Sequence, residues 1–187
     1  MNSKQPLIIK LLGVPGSGKT YFSQHLAPKI NAVHLNSDAM RLAIFKSTEE
    51  IARIYNSPDR NTLNTYVFGA LDYVANQVLS SGTGVIYDAC NNSHAERASI
   101  DKIGDPYNVL SVTVWIQTPH DIALKRGQER SNSADSRKLY KSSMAQAIAD
   151  HAKNIEAPTS DERTIILDGE TSLEEQMITF MKNMEEI

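Results

Sequence analysis

Short apolar runs alternate with amphipathic stretches along this chain almost from its first residues. Leu7-Ile8-Ile9-Lys10-Leu11-Leu12 is brief, apolar and halted by Gly13, which predicts a buried strand. A helix is expected from Thr20 to Ala27, closed by Pro28, whose ring resists continuing one. Ala32 to Leu35 predicts a second strand, with a helix from about Asp38 to Lys46. Ser47 to Asn61 is polar, holds Ser57-Pro58-Asp59, and reads as loop or short helix. Leu63, Val67, Ala70 or Leu71, Val74 and Val78 then recur at three- and four-residue spacing, the inner face of a helix that Ser81-Gly82 ends. Gly69 inside it implies close packing or, as the sharper alternative, a kink.

Val85-Ile86-Tyr87 predicts a third strand that leads directly into Asp88. Ser93 and Glu96 have capping-box spacing and open a helix to about Ile103. Val109 to Ile116 is a fourth strand, and Thr118-Pro119 supplies an N-cap followed by proline at the first helical position. That helix carries basic residues up to Arg130; Ser131 to Ser136 is a polar break, and another helix runs to about Ile155. Thr164 to Leu167 is a fifth strand. Thr171 and Glu174 should cap a last helix whose stripe of Leu173, Met177, Phe180 or Met181 and Met184 reads as core. Five strands separated by helices predict an α/β fold, a five-stranded, mostly parallel sheet with helices on both faces. The chain has 187 residues and shows no repeat or dividing linker, so one domain is expected.

Composition narrows the classes. A hydrophobic fraction of 41% supports a real core, and the net charge of −3 disfavours a surface that tracks nucleic acid along its whole length. The charge is uneven: residues 125–141 carry six basic and two acidic side chains, residues 156–187 two basic and nine acidic. A single cysteine, Cys90, excludes an internal disulfide and a thiolate zinc site, and reads as a packed residue. His25, His34, His94, His120 and His151 have no metal-ligand spacing and read as structural or surface residues, with His94 nearest a pocket. No apolar run approaches the roughly 18 residues of a membrane span, and the N-terminus lacks a secretory signal. A cytoplasmic protein without a membrane partner is therefore expected.

Gly13-Val14-Pro15-Gly16-Ser17-Gly18-Lys19-Thr20 satisfies the phosphate-loop pattern at every fixed position. Glycines let the backbone turn its N–H groups inward around a phosphate chain, and the helix that follows points its positive end at the same place. Lys19 reaches the β- and γ-phosphates, and the Thr20 hydroxyl is placed to hold Mg²⁺. Asp88, ending the third strand, suits the same metal or an acceptor. Ala89 stands where a water-activating glutamate would serve an enzyme devoted to hydrolysis.

This loop, Asn36-Ser37-Asp38-Ala39-Met40-Arg41, Val85-Ile86-Tyr87-Asp88-Ala89 and Arg97 together resemble the small P-loop kinases. The pattern is similar to bacterial kinases related to the 5′-kinase domain of phage polynucleotide kinase. More distantly it resembles zeta-type toxins, gluconate kinases and antibiotic phosphotransferases. The resemblance spans roughly residues 7 to 168 and implies a P-loop NTPase fold with ATP and Mg²⁺ as cofactors. By itself Asp38 reads equally as a base near transferred phosphate or as a helix-start carboxylate paired with Arg41. The resemblance implies the base, with Arg41 holding an anionic group of the acceptor. Asn91, Asn92 and Arg97 would face the acceptor too. Arg126 and Arg130 share a helix face, with Arg137 beyond; they read as a solvated basic face, or, by the resemblance, as a short helical lid at about 126–137 closing over the γ-phosphate.

The reading is a kinase that moves the γ-phosphoryl group of ATP to a hydroxyl of a small molecule or a nucleic-acid 5′ end. The rival is a nucleotide-dependent switch acting through a protein partner. Against the rival stand Ala89 and the lack of an Asn-Lys-x-Asp guanine-reading motif.

Overall fold

The first apolar run becomes the central strand of the sheet. In the computed structural model, which describes residues 5–45, 47–89, 91–129 and 143–187, the strands are β1 (Leu7–Leu12), β2 (Ala32–Asn36), β3 (Gly84–Asp88), β4 (Leu110–Gln117) and β5 (Thr164–Asp168). They lie in the order β2-β3-β1-β4-β5, and every pairing is parallel. The expected α/β sheet is present.

The helices are α1 (Lys19–Leu26), α2 (Ser37–Phe45), α3 (Thr48–Tyr55), α4 (Arg60–Ser80), α5 (His94–Gly104), α6 (His120–Glu129), α7 (Met144–Asn154) and α8 (Leu173–Glu186). Successive strand residues point to opposite faces, which explains why β1 is apolar almost throughout. Ile9 and Leu11 pack with Phe22 and Leu26 of α1 and Met177 and Phe180 of α8. Ile8 turns the other way, with Leu63, Val67 and Leu71 of α4 and Ile100 of α5. Lys10 is buried on β1, and Asp101 of α5 answers its charge at 2.5 Å.

One open reading is resolved and two shift. The segment expected as loop or short helix contains α3, whose first turn is capped by the Ser47 hydroxyl accepting from the Glu50 N–H. The last helix is capped one residue later than expected, by a reciprocal box of Ser172 and Glu175. Thr118 is not a cap; its hydroxyl donates to the Ser17 carbonyl at 3.1 Å, tying the end of β4 to the phosphate loop. The Ser93–Glu96 box forms as read.

Gly69 sits on the exposed side of α4, and a β-carbon there would meet no neighbour within 4 Å. Close packing therefore does not explain it. Gly69→Ala should stabilise the protein by about 0.5–1 kcal/mol, because alanine loses less backbone entropy in a helix. Chemical denaturation checks this; a lower midpoint would mean that the glycine has a purpose hidden from the helix itself.

The topology positions the site. From β1 the chain crosses to β2 on one side, and from β4 it crosses to β5 on the other. The crevice at the carboxyl ends of β1 and β4 is thus where the connections diverge, the usual binding edge of an open parallel sheet. Leu12, Asn36, Asp88, Gln117 and Asp168 end their strands on that edge.

Candidate functional site

The turn after β1 occupies that crevice. Gly13, Gly16 and Gly18 have φ of 143°, 82° and 101°, values that a side chain strongly disfavours. At two of them the space is also closed. A β-carbon on Gly13 would lie 2.6 Å from the Ile116 carbonyl oxygen, and one on Gly16 2.1 Å from that of Ala123. The backbones of β4 and α6 thus press directly on the loop. Gly18 delivers the chain into α1 without a side-chain cap, so the first-turn N–H groups have no cap acceptor. Glycine-turned backbone and helix start make a cradle for phosphate. The Lys19 ammonium bridges the loop, donating to the carbonyls of Gly13 at 2.7 Å and Val14 at 2.9 Å. Thr20 lies in the first turn of α1.

Asp88 ends β3 and is buried. One of its oxygens, Oδ2, meets His34 Nε2 at 2.9 Å and accepts from Asn36 Nδ2 at 2.7 Å. Burial pushes the carboxyl pKa up, but the hydrogen bonds from His34 and Asn36, with the charges of His34 and Lys19, outweigh it and hold the pKa below the usual range. The expectation that His94 is the histidine nearest the site is thereby corrected, since His34 is the one on Asp88. It stands two residues before Asn36 on the same face of β2, and Asn36 pairs in register with Asp88. Only the strand order brings it there.

The donor set fits a magnesium ion held jointly with phosphate. Among the described residues no three His, Cys, Asp or Glu side chains gather as a cage. A buried ionised carboxylate and a helix-start hydroxyl are hard oxygen donors, and Mg²⁺ commonly completes such a pair with phosphate oxygens and water.

Asp38 opens α2 on the same edge of the sheet. Its Oδ1 accepts from Arg41 at 2.6 Å, so the pairing weighed from the sequence does form. It uses one carboxylate oxygen, and a third of the Asp38 side chain stays exposed. Arg41 is buried, and its Nε has no hydrogen-bond partner among the described residues.

Arg126 extends from α6 to the other side of the loop, donating to the Gly169 carbonyl at 2.7 Å. It borders a groove of about 290 Å³ with Gly16, Ser17, Gly18, Tyr21, Thr171 and Gln176. Gly169 leaves no room for a side chain in this wall: a β-carbon there would collide with the Thr118 hydroxyl. The sequence offered no sign that the turn after β5 would reach the phosphate loop. Arg130 and Arg137, with most of the expected lid, lie outside the described residues, as does Cys90.

Arg97 and Asn91 do not face an acceptor. Arg97 is fully buried, its Nε 2.5 Å and its Nη2 2.9 Å from the two Glu162 oxygens, while Nη1 donates to the carbonyls of Asn91 and Asn92. Asn91 is spent on the carbonyls of Leu11 and Tyr87. Asn92 Nδ2 is 3.1 Å from His151 Nδ1, and His94 Nδ1 is 2.8 Å from Glu162 Oε1. These groups strap the loop after Asp88 to α7 and to the stretch between α7 and β5.

The hydrogen bonds from Arg97 hold the Glu162 carboxyl at about 2 against the opposing effect of burial, with help from His94 and the Thr159 N–H. A carboxyl depressed in the folded state lends stability that is complete above its unfolded pKa. That stability is lost as pH falls from about 4.5 towards 2. It amounts to something on the order of 3 kcal/mol. Glu162→Gln should therefore flatten the acid limb of the stability profile. It should also destabilise the protein at neutral pH, since Arg97 is left buried without a counter-charge. Urea denaturation from pH 7 down to pH 3 reads both effects; an unchanged slope would assign the acid sensitivity elsewhere.

Comparison with known proteins supports the same architecture. No curated protein sequence matches the chain. Among solved structures, a sugar kinase from Janibacter sp. HTCC2649 is similar at 18% identity and a TM-score of 0.69, over 97% of this chain and 95% of that one. A shikimate kinase from Aquifex aeolicus is 17% identical with a TM-score of 0.63, over 95% of this chain and 96% of that one. A gluconokinase from Sinorhizobium meliloti 1021 is 15% identical with a TM-score of 0.61, over 98% and 94%. At these identities the likeness is one of fold. The sequence model described as AAA domain matches residues 8–155, from β1 to just past α7, and the chain therefore belongs to that family.

Proposed function

We propose that this protein is an ATP- and Mg²⁺-dependent kinase that transfers the γ-phosphoryl group to a hydroxyl of a small molecule. One observation carries the reading: the phosphate cradle of residues 13–20 and the part-exposed Asp38 share the carboxyl edge of one parallel sheet. In the proposed reaction the acceptor oxygen attacks the γ-phosphorus, the bond from that phosphorus to the β–γ bridging oxygen breaks, and Asp38 takes the hydroxyl proton. Lys19 and the loop amides stabilise charge on the transferring group, and Arg126 holds the nucleotide from the groove side. Thr20 and Asp88 would hold Mg²⁺, which neutralises phosphate charge when bound.

The fold-level neighbours, named as sugar kinase, gluconokinase and shikimate kinase, favour a small hydroxylated acceptor over a nucleic-acid end. The test follows γ-labelled ATP with Mg²⁺ onto polyols, nucleosides and a short 5′-hydroxyl oligonucleotide. Label on a small molecule at rates well above hydrolysis supports the reading. Hydrolysis alone, indifferent to every acceptor but stimulated by a protein partner, would return the chain to the class of nucleotide switches. Label on the oligonucleotide alone would move the acceptor to nucleic acid.

A further inference from the structure

The buried carboxylate of Asp88 is gripped by one of its two oxygens. His34 Nε2 at 2.9 Å and Asn36 Nδ2 at 2.7 Å both end on Oδ2, and both donors stand on β2. Among the described residues no hydrogen bond reaches Oδ1. An ionised carboxylate only accepts, so Nε2 carries a hydrogen whatever the charge of the ring. A carboxylate oxygen accepts best close to the plane of its own group. A single donor on Oδ2 would fix that oxygen and leave the plane free to turn. Two donors from different directions fix the plane as well, and with it the direction of Oδ1.

The two donors arrive by different routes. Asn36 is opposite Asp88 in the β2–β3 register, and His34 is opposite Ile86. Side chains alternate along a strand, so the two share a face, and the longer imidazole reaches forward along β2 to the oxygen that Asn36 meets from across. Asn36 is engaged a second time: its Oδ1 accepts from the Ala39 N–H at 2.8 Å, in the first turn of α2. Turning that amide over would set oxygen against carboxylate and N–H against N–H, so Asn36 is locked. The His34 ring, by contrast, makes one hydrogen bond among the described residues, and it goes to Asp88. In the sheet β3 lies between β2 and β1. Pinning Oδ2 to β2 therefore turns Oδ1 away from that strand, and the neighbour on the other side is β1, which leads into the phosphate loop.

Resting on the kinase reading, we infer that His34 is a positioning residue of the reaction: with Asn36 it fixes the plane of the Asp88 carboxylate and holds Oδ1 ready for Mg²⁺. The imidazole acts through Asp88 and touches neither nucleotide nor acceptor. Partners that stand behind a metal-binding carboxylate typically contribute about 10–100-fold to metal affinity or activity. A carboxylate aimed in advance loses no binding free energy to being ordered when the ion arrives. The role asks only for an N–H donor at the reach of Nε2, so a neutral amide of similar reach should replace the imidazole.

The test uses His34→Leu, which removes the donor, and His34→Gln, whose amide nitrogen has nearly the reach of Nε2. Binding of a non-hydrolysable ATP analogue is measured by calorimetry with and without Mg²⁺. Binding of Mn²⁺ in the presence of the analogue is followed by electron paramagnetic resonance, a readout that needs no catalysis. Wild-type protein should bind the analogue more tightly with Mg²⁺ than without it. In His34→Leu the affinity for Mn²⁺ should fall by about 10-fold or more and the gain from Mg²⁺ should shrink, with metal-free binding unchanged. His34→Gln should recover most of the loss. A histidine that merely packs the sheet would lower the unfolding midpoint and leave the metal dependence as in wild type. That result overturns the inference and leaves the kinase reading standing. Loss of metal-free binding in the same measure as metal-bound binding also overturns it, because His34 would then serve the cradle itself. Should His34→Leu fail to fold, His34→Asn takes its place: its amide is too short to reach Oδ2, and the contrast with His34→Gln reads reach alone. Analogue binding by the wild type that ignores both Mg²⁺ and Mn²⁺ overturns the inference and the kinase reading together.

Discussion

Lys19→Ala is expected to lower phosphoryl transfer by about 10²–10³-fold, the loss typical when one charge-stabilising group is removed from a transition state. The reasoning begins with geometry. The ammonium is drawn across the loop by the carbonyls of Gly13 and Val14, so it is already held over the cradle rather than wandering from a flexible stem. Charge accumulates on the transferring oxygens as the phosphoryl group departs, and a cation fixed there gains strength in step with it. The cost to the fold should be small. Two hydrogen bonds to loop carbonyls disappear, about 1–2 kcal/mol in all, against a total stability several times larger. The check is steady-state kinetics beside a denaturation curve. An active variant would show that the cradle is not where transfer occurs, and an unfolded one would show that Lys19 is mainly a clasp.

The sequence exposed what is local and hid what depends on strand order. The phosphate loop is contiguous, and each glycine in it can be read from the pattern alone. The structure adds only why Gly13 and Gly16 admit no β-carbon, since the crowding atoms belong to Ile116 and Ala123, more than a hundred residues along the chain. The pair Asp38–Arg41 is equally local, three residues apart on one helix. His34 shows the limit. Its only distinction in sequence is a place on a short strand, and its contact with Asp88 follows from β2 and β3 being neighbours, a fact of topology.

Arg97 failed for a related reason. Its position after a strand-ending aspartate matches a site residue, yet the partner that claims it, Glu162, lies 65 residues away in a turn before β5. A polar residue close to an active edge can serve the substrate or serve the loop that holds the edge together. Only the location of its counter-charge tells which.

Asp38→Asn should depress kcat by about 10²-fold or more while the KM for ATP changes little, because a positioned general base contributes 10²–10⁴ to such a reaction. The substitution keeps the size of the side chain and a polar group at the start of α2, but the amide cannot take a proton. Arg41 loses its counter-charge at the same time. Arg41 is buried, so losing that counter-charge should lower stability, although the part-exposed carboxylate makes the loss smaller than for a pair buried on both sides. The kinetic and structural effects are separated by assaying well below the unfolding transition: a variant still fully folded there, with the rate down by two orders of magnitude, is the signature of a base. Asp38→Glu adds a control, since it restores the carboxylate at a displaced position and should recover part of the rate. If ATP binding collapses in Asp38→Asn while kcat survives, the carboxylate belongs to the nucleotide and its metal, and the acceptor's proton must leave by another group.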